Sequence, residues 1–532
     1  MSRTEDARAL ARARRNTWTA WVGTHAEMKP DAEAFRYRSR STTWRELDDR
    51  IHRLASALAR RGVGRGDRVM LLALNCTEFV ETVLATGLLG ALAVPVNVRL
   101  TPAEIAYIVG DCSPTLVVTD ALLAPLVGAV RAEGADPGRH VVIGVEDAGR
   151  DTVREGAEAY EALLAEPGEP AELPDVREDD PALIMYTSGT TGRPKGAVLT
   201  YGNLTAQALT VIRAFRHHDE SARSLCTPPM FHIAALGAIA PSLQLGTTTV
   251  IAPLGAFDPG AVLDLLAEER ITGVFMVPVQ WQAVCAEQRA RPRELCLHDI
   301  SWGAAPSTDT ILRAMSDTFP GVLVCALFGQ TEMSPVTCSL DAGDALRKLG
   351  SVGTVVPTVQ ARVVDDFMED VGPGEVGEIV YRGPNTMLGY WGKPDETADA
   401  FDGGWFHSGD LVRQDEEGFV YVVDRKKDMI ISGGENIYCA ELENVLSAHP
   451  RIREAAVVGR RDPQWGEVPV VVAAMGDDGP DLDLDDLRSW LRERVAGYKL
   501  PRDLVVVDAL PRNASGKVVK AGLRAEHGSS GV

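Results

Sequence analysis

No two cysteines in this chain are spaced as CxxC, and its eight cysteines (Cys76, Cys112, Cys226, Cys285, Cys296, Cys325, Cys338, Cys439) form no cluster. That scatter argues against a structural zinc site and a disulfide scaffold, and the eight read as small buried hydrophobes in a reducing compartment. Long apolar runs are also missing. The longest, Val83 to Val96, is broken by Gly87, Gly90 and Pro95, and it falls short of the roughly 20 residues that a bilayer-spanning helix needs. It reads as a buried helix running into a strand. The opening residues MSRTEDARALARARRN are arginine-rich but include Glu5 and Asp6 and no apolar stretch. No secretory signal is therefore read there, and a cytoplasmic location is expected. Positive charge is scarce as well: 54 Lys and Arg stand against 75 Asp and Glu, a formal net charge of −21. A field of that sign argues against nucleic acid or an anionic membrane as the main partner. It also requires any pocket for an anionic substrate to gather cations locally.

What remains is a globular composition. Of 532 residues, 45% are hydrophobic and 24% charged, enough for several packed units. From Thr43 to Leu254, β-branched apolar runs alternate with helical patterns. Arg68–Leu74 and Thr115–Thr119 read as buried strands, Leu47–Arg60 and Pro102–Val109 as amphipathic helices. Such alternation predicts an α/β fold with layered, largely parallel sheets. Ala165–Pro181, rich in proline and acid, reads as a surface connection. Val274–Val277 and Leu323–Leu327 continue the strands, and from Ala361 shorter strands and glycine turns suggest a β-rich subdomain. A last α+β unit starts near Asp424, with a strand pair around Met429–Ser432, a helix Ala440–Ala448, strands Glu454–Val458 and Val468–Ala473, and a helix Leu484–Val495. The tail His527–Val532 is expected to be disordered.

Tyr186–Gly196 (YTSGTTGRPKG) lies between two apolar runs and reads as strand–loop–strand. Gly189, Gly192 and Gly196 let the backbone curl and approach a ligand, Thr187, Ser188, Thr190 and Thr191 add hydroxyls, and Lys195 adds a cation. Together they make an anion cradle. A Walker A loop needs glycine before the lysine and Ser or Thr after it; here Pro194 precedes Lys195 and Gly196 follows, which excludes that reading. Further segments follow in order. Pro228–Ile233 contains Phe231, His232 and Ile233, and Gly303-Ala304-Ala305-Pro306 is a run of small residues. Leu327-Phe328-Gly329-Gln330-Thr331-Glu332 directly follows a buried strand, where ligands bind in α/β sheets. Trp405–Asp410 ends in a carboxylate whose two acceptors suit a vicinal diol. Asp424–Asn436 joins a charge run to the Gly433–Gly434 pair, and Leu510–Lys517 is a Pro- and Gly-marked loop.

By these motifs the chain resembles the adenylate-forming superfamily of acyl-CoA synthetases, luciferases and peptide-synthetase adenylation domains, and looks closest to bacterial fatty-acyl-CoA ligases. The resemblance runs from about Trp21 to Arg524. It implies a large N-terminal domain (1–424) of layered α/β subdomains plus a β-rich subdomain, a hinge (425–428), and a small mobile C-terminal α+β domain (429–532). It implies ATP, Mg2+ and coenzyme A as cosubstrates of a soluble acid–thiol ligase. Thr187 to Thr191 (Thr187, Ser188, Gly189, Thr190, Thr191) and Lys195 would cradle phosphate. Gly303, Ala304, Ala305 and Pro306 would border the adenine and Phe328 stack on it, with Gly329 and Gln330 beside it. Thr331 would contact the α-phosphate, Glu332 hold Mg2+, and Asp410 and Arg425 reach the ribose. Phe231, His232, Ile233 and Gly303 would line the acyl pocket, Lys427 be the pivot, and Gly433 and Gly434 leave room for pantetheine. Lys517 would be the catalytic lysine. Phe328 stands where tyrosine is common and Ala304 where a second glycine is frequent, and neither change removes chemistry.

The acid is expected to be a medium or long aliphatic chain first and an aromatic acid second, since Ile233–Ala238 is apolar and mostly small. No carboxylate near His232 is offered to an α-amino group, which argues against an amino acid. Transfer to a carrier-protein thiol, an amine or another nucleophile is the alternative to CoA. A catalytically silent binding protein is expected to have lost Lys517, Thr331 or the glycine loop, and all are present.

Overall fold

The computed structural model describes residues 10, 14–144, 156–187, 193–217, 221–303, 309–476, 482–512 and 518–528. These pack as two compact units. The first holds the described residues up to 187 together with 193–360 and 381–406, and the second holds 361–380 and those from 407 onward.

Two sheets organise the first unit. One has nine strands, whose central five (Thr248–Ile251, Arg223–Cys226, Gly273–Met276, Asp299–Gly303, Leu323–Gly329) pair in parallel. The other has eight strands, with Arg68–Leu72, Leu92–Pro95, Leu116–Asp120, Arg139–Ile143 and Pro181–Thr187 among its parallel members. Parallel strands are covered on both faces, so their sequences are near-continuous apolar runs. That is why RVMLL and LVVTD could be recognised as strands without any alternation.

Helix ends follow the capping chemistry more than the apolar stripe. The helix expected from Leu47 begins at Trp44, because the Thr43 hydroxyl accepts from the Glu46 amide at 3.2 Å. Leu47, Ile51, Leu54 and Leu58 are then buried on one face, each contributing about 1.5–3 kcal/mol. The helix expected over Pro102–Val109 runs on to Cys112, between a Thr101–Glu104 capping box and Ser113 in the left-handed region. Val83–Val96 is indeed a buried helix (Thr77–Leu88) and then a strand (Leu92–Pro95).

His140, in the strand Arg139–Ile143, is 6% exposed and shares a 2.9 Å hydrogen bond with the Thr119 hydroxyl. Burial, with Arg131 nearby, pushes its imidazole down to about 4. The unfolded chain therefore binds a proton that the folded chain refuses between about pH 6.5 and 4, and stability is lost as pH falls through that window. His140→Gln is expected to flatten this part of the acid-denaturation profile, by at most about 3 kcal/mol, measured as urea midpoints from pH 7 to 4.

The second unit carries a four-stranded sheet (Gln360–Val364, Val376–Arg382, Phe406–Gln414, Val420–Arg425). It also carries a five-stranded sheet built on the long antiparallel pair Ile452–Asp462 and Gly466–Met475. Helices Cys439–Leu446 and Leu484–Arg492 bury Leu442, Leu446, Leu487 and Leu491 in the core of the five-stranded sheet. The strand Asp503–Val507 and the helix Lys520–His527 were not foreseen; His527, expected to open the disordered tail, instead ends a helix whose Leu523 is buried, and residues 529–532 lie outside the described residues. Leu523 packs in one cluster with Ala456, Val458, Val470 and Val472 of the sheet and with Leu510.

Candidate active site

In the first unit the glycine-rich loop joins Pro181–Thr187 to Lys195–Thr200, which pair antiparallel. Ser188, Gly189, Thr190 and Thr191 lie outside the described residues, but the two ends of the loop are placed. Gly196 leaves no room for a side chain: an added Cβ would sit 2.6 Å from the Ile184 Cγ2 atom. A short strand, Gly389–Tyr390, pairs with Lys195–Thr200, Tyr390 opposite Ala197. The Lys195 ammonium lies 5.1 Å from the centroid of the Tyr390 ring.

Glu332 joins this group from the other sheet. It lies in a single 3-10 turn, Thr331–Met333, just beyond the strand Leu323–Gly329, and is 8% exposed. Its Oε1 atom accepts hydrogen bonds from the Thr187 hydroxyl (3.3 Å) and from the Tyr390 hydroxyl (3.1 Å). Burial, then the Glu332 charge, hold the Tyr390 phenol far above its ordinary range, so it remains a donor at neutral pH. Thr187, Lys195 and Glu332 are thus brought together, as expected. Tyr390 was missed, although its setting in GYW after a glycine-marked turn was a signal available in the sequence.

The segment expected to border adenine starts at the carboxyl end of Asp299–Gly303, and Phe328 stands at the end of the adjacent parallel strand, with Gly303 beside Leu327. A Cβ on Gly303 would lie 2.4 Å from the Leu327 carbonyl oxygen, and one on Gly329 would lie 1.8 Å from that of Pro335. Both positions therefore require glycine, and both leave the strand ends flat. Phe328 is half-buried, and the Gln330 amide donates to the Pro335 carbonyl at 2.9 Å. Thr331 is also half-buried. Ala304, Ala305 and Pro306 lie outside the described residues.

Phe231, His232 and Ile233 are held by a residue the sequence reading passed over. Buried Asn75 donates to the Pro228 carbonyl at 2.9 Å and accepts from the Met230 amide at 2.8 Å. This clamp sets the start of the helix Ile233–Leu245, with Phe231 and Ile233 buried and the Phe231 and His232 rings edge-to-face at 4.8 Å. Gly237 of that helix lies against Pro335, where an added Cβ would approach Cδ to 3.2 Å.

In the second unit Asp410 and Arg425 face one another across an antiparallel pair. Their Oδ1–Nε distance is 2.8 Å, with the Asp410 side chain 4% exposed. The Arg425 guanidinium also donates to the Ser408 carbonyl (3.2 Å), and the Asp410 amide donates to the Ser408 hydroxyl (3.0 Å). Buried Glu378, not singled out from the sequence, organises the same turn. It accepts from the Gly409 amide (3.0 Å) and from Lys426 (3.2 Å), and lies 3.2 Å from the His407 Nδ1 atom. An acid inside the apolar strand GEIVYR was its signal. Lys427 is exposed on the turn after Arg425. Gly433 and Gly434 form a two-residue hairpin turn with φ of 60° and 89°, both in the region that glycine favours. A Cβ on Gly433 would strike the Trp465 ring at 2.8 Å. Lys517 lies outside the described residues.

The chain belongs to the AMP-binding enzyme family: residues 22–391 match that family, and residues 441–517 match the AMP-binding enzyme C-terminal domain. It is 42% identical to a feruloyl-CoA synthase of Amycolatopsis sp, over 96% of this chain and 99% of the relative. An indoleacetate–CoA ligase of Aromatoleum aromaticum is 39% identical (95% and 97% covered), and the long-chain-fatty-acid–CoA ligase FadD13 of Mycobacterium tuberculosis 35% (92% and 93%). Among solved structures, o-succinylbenzoate CoA synthetase (MenE) from Bacillus subtilis with its acyl-adenylate intermediate superposes with a TM-score of 0.83 at 31% identity, covering 95% of this chain and 97% of that one. The fold and the acid–thiol ligase class read from the sequence are those of the family, with ATP, Mg2+ and CoA as cosubstrates. Among the described residues no helix is long and apolar enough to cross a membrane.

Proposed function

We propose that the chain activates an aromatic carboxylic acid as its acyl-adenylate and transfers the acyl group to coenzyme A. The observation that carries this reading is the gradient of identity: 42% and 39% to ligases of feruloyl and indoleacetyl groups against 35% to a fatty-acid ligase, all over more than nine-tenths of the chain. The aromatic acid, second choice from the sequence, moves ahead of the aliphatic chain. Phe231, His232 and Ile233 at the apolar helix Ile233–Leu245 supply a wall suited to a flat ring.

The first half-reaction sets a carboxylate against a polyanion, so positioning and neutralisation of charge are the chemistry required. Lys195 and the hydroxyl loop take phosphate oxygens, Thr331 the α-phosphate, and Phe328 the adenine face. Asp410 accepts from the ribose hydroxyls, its carboxylate aimed by Arg425. Glu332 suits Mg2+, which binds through one or two carboxylates plus phosphate oxygens; the ion would supply charge neutralisation. Lys517 adds a cation during adenylation, and rotation about Lys427 then removes it so that the thiol can enter along Gly433 and Gly434.

A pyrophosphate-release panel tests the substrate class. Ferulate, indoleacetate, octanoate and palmitate are supplied with and without CoA, and products are weighed by mass spectrometry. The aryl acids are expected to be turned over fastest and to yield aryl-CoA only when CoA is present. Fastest turnover of palmitate, or no thioester with any acid, overturns the reading.

A further inference from the structure

We infer that Tyr390 is a positioning residue for the metal site, aiming the Glu332 carboxylate so that its Oε2 atom is presented to a divalent cation; this rests on the adenylation reading above. Thr187 and Tyr390 both donate to one oxygen, Oε1, at 3.3 and 3.1 Å. Among the described residues no hydrogen bond or ion pair falls on Oε2. Two neutral donors on one oxygen fix the rotation of a carboxylate without cancelling its charge, whereas an ammonium there would compete with a cation. The Lys195 ammonium is near but faces the Tyr390 ring, not the carboxylate. A cation over the ring draws density from the phenol and strengthens its O–H as a donor.

The tyrosine is itself held rigidly. Its amide donates to the Thr397 hydroxyl at 2.9 Å, its carbonyl accepts from the Lys393 amide at 3.1 Å, and its neighbours Leu388 and Trp391 donate to Val198 and Gly196. Glu332 is anchored too, its carbonyl accepting from the Met387 amide at 2.8 Å. The segment 387–391 therefore grips both the backbone and the side chain of Glu332. Outer-shell hydrogen bonds of this kind are worth 10- to 100-fold in metal affinity.

The test is Tyr390→Phe, which keeps the ring over which Lys195 sits and removes only the hydroxyl. Mn2+ binding to the enzyme–ATP complex is followed by electron paramagnetic resonance, and metal-free ATP binding by equilibrium dialysis. Mn2+ affinity is expected to fall about ten-fold, with metal-free ATP affinity unchanged and ATP–pyrophosphate exchange restored by raised Mg2+. Unchanged Mn2+ affinity, or equal loss of metal-free ATP binding, overturns the role of Tyr390. A wild-type protein that exchanges no pyrophosphate with any acid overturns instead the reading on which it rests.

Discussion

Lys517→Ala is expected to lose ATP–pyrophosphate exchange by about 10²- to 10³-fold, some 3–4 kcal/mol of transition-state stabilisation, and to keep thioester formation from supplied acyl-adenylate. The asymmetry follows from the charges. During adenylation the attacking carboxylate and the α-phosphate are both anionic, in a chain whose own net charge is −21. A cation at the reacting phosphorus lowers that barrier directly. In the second step an acyl carbonyl meets a thiol and AMP departs, so the same cation has little developing charge to meet. Measuring the two half-reactions separately decides the matter, and equal loss in both removes Lys517 from the first.

Lys427→Pro is expected to show the opposite selectivity. Among the described residues the Lys427 amide donates to no carbonyl, whereas its neighbours do: Lys426 to Gly409 and Asp428 to Arg425. Proline there forfeits no hydrogen bond of the present conformation. It does lock one backbone torsion, and with it the rotation proposed for the thiol step. Adenylation should remain near the wild-type rate while thioesterification falls about ten-fold or more, roughly 1.4 kcal/mol of barrier. Selective loss of adenylation contradicts the hinge. Asp428 is tied to Arg524 (3.0 Å) and Asp424 accepts from the Arg425 amide (2.7 Å), so the turn is braced on both sides of the exposed lysine.

The parallel strands of the first unit were legible because they are continuous apolar runs bounded by turn residues, and the motifs of the candidate site because they are short and contiguous. Hairpin glycines such as Gly433–Gly434 carry their geometry in their own residue type. The misses share a different cause. Asn75 clamps a loop 153 residues away, Tyr390 donates to a carboxylate 58 residues earlier, and Glu378 serves a turn 31 residues later. The local settings of Tyr390 and Glu378 mark them as unusual, but no local pattern names the distant partner of any of the three. The strand Asp503–Val507, an apolar run of the same length as Arg68–Leu72, was passed over; it pairs in parallel with Val470–Ala474.

What the sequence determined by itself was the fold class, the family and the kinds of group offered as a nucleotide site, because residue type, order and spacing suffice for those. What only the tertiary structure decided was which oxygen of Glu332 is occupied, which arginine orients Asp410 and which asparagine holds the segment Pro228–Ile233. Those choices depend on distances between side chains brought together by sheet pairing and burial, and no local stretch of sequence encodes such a distance.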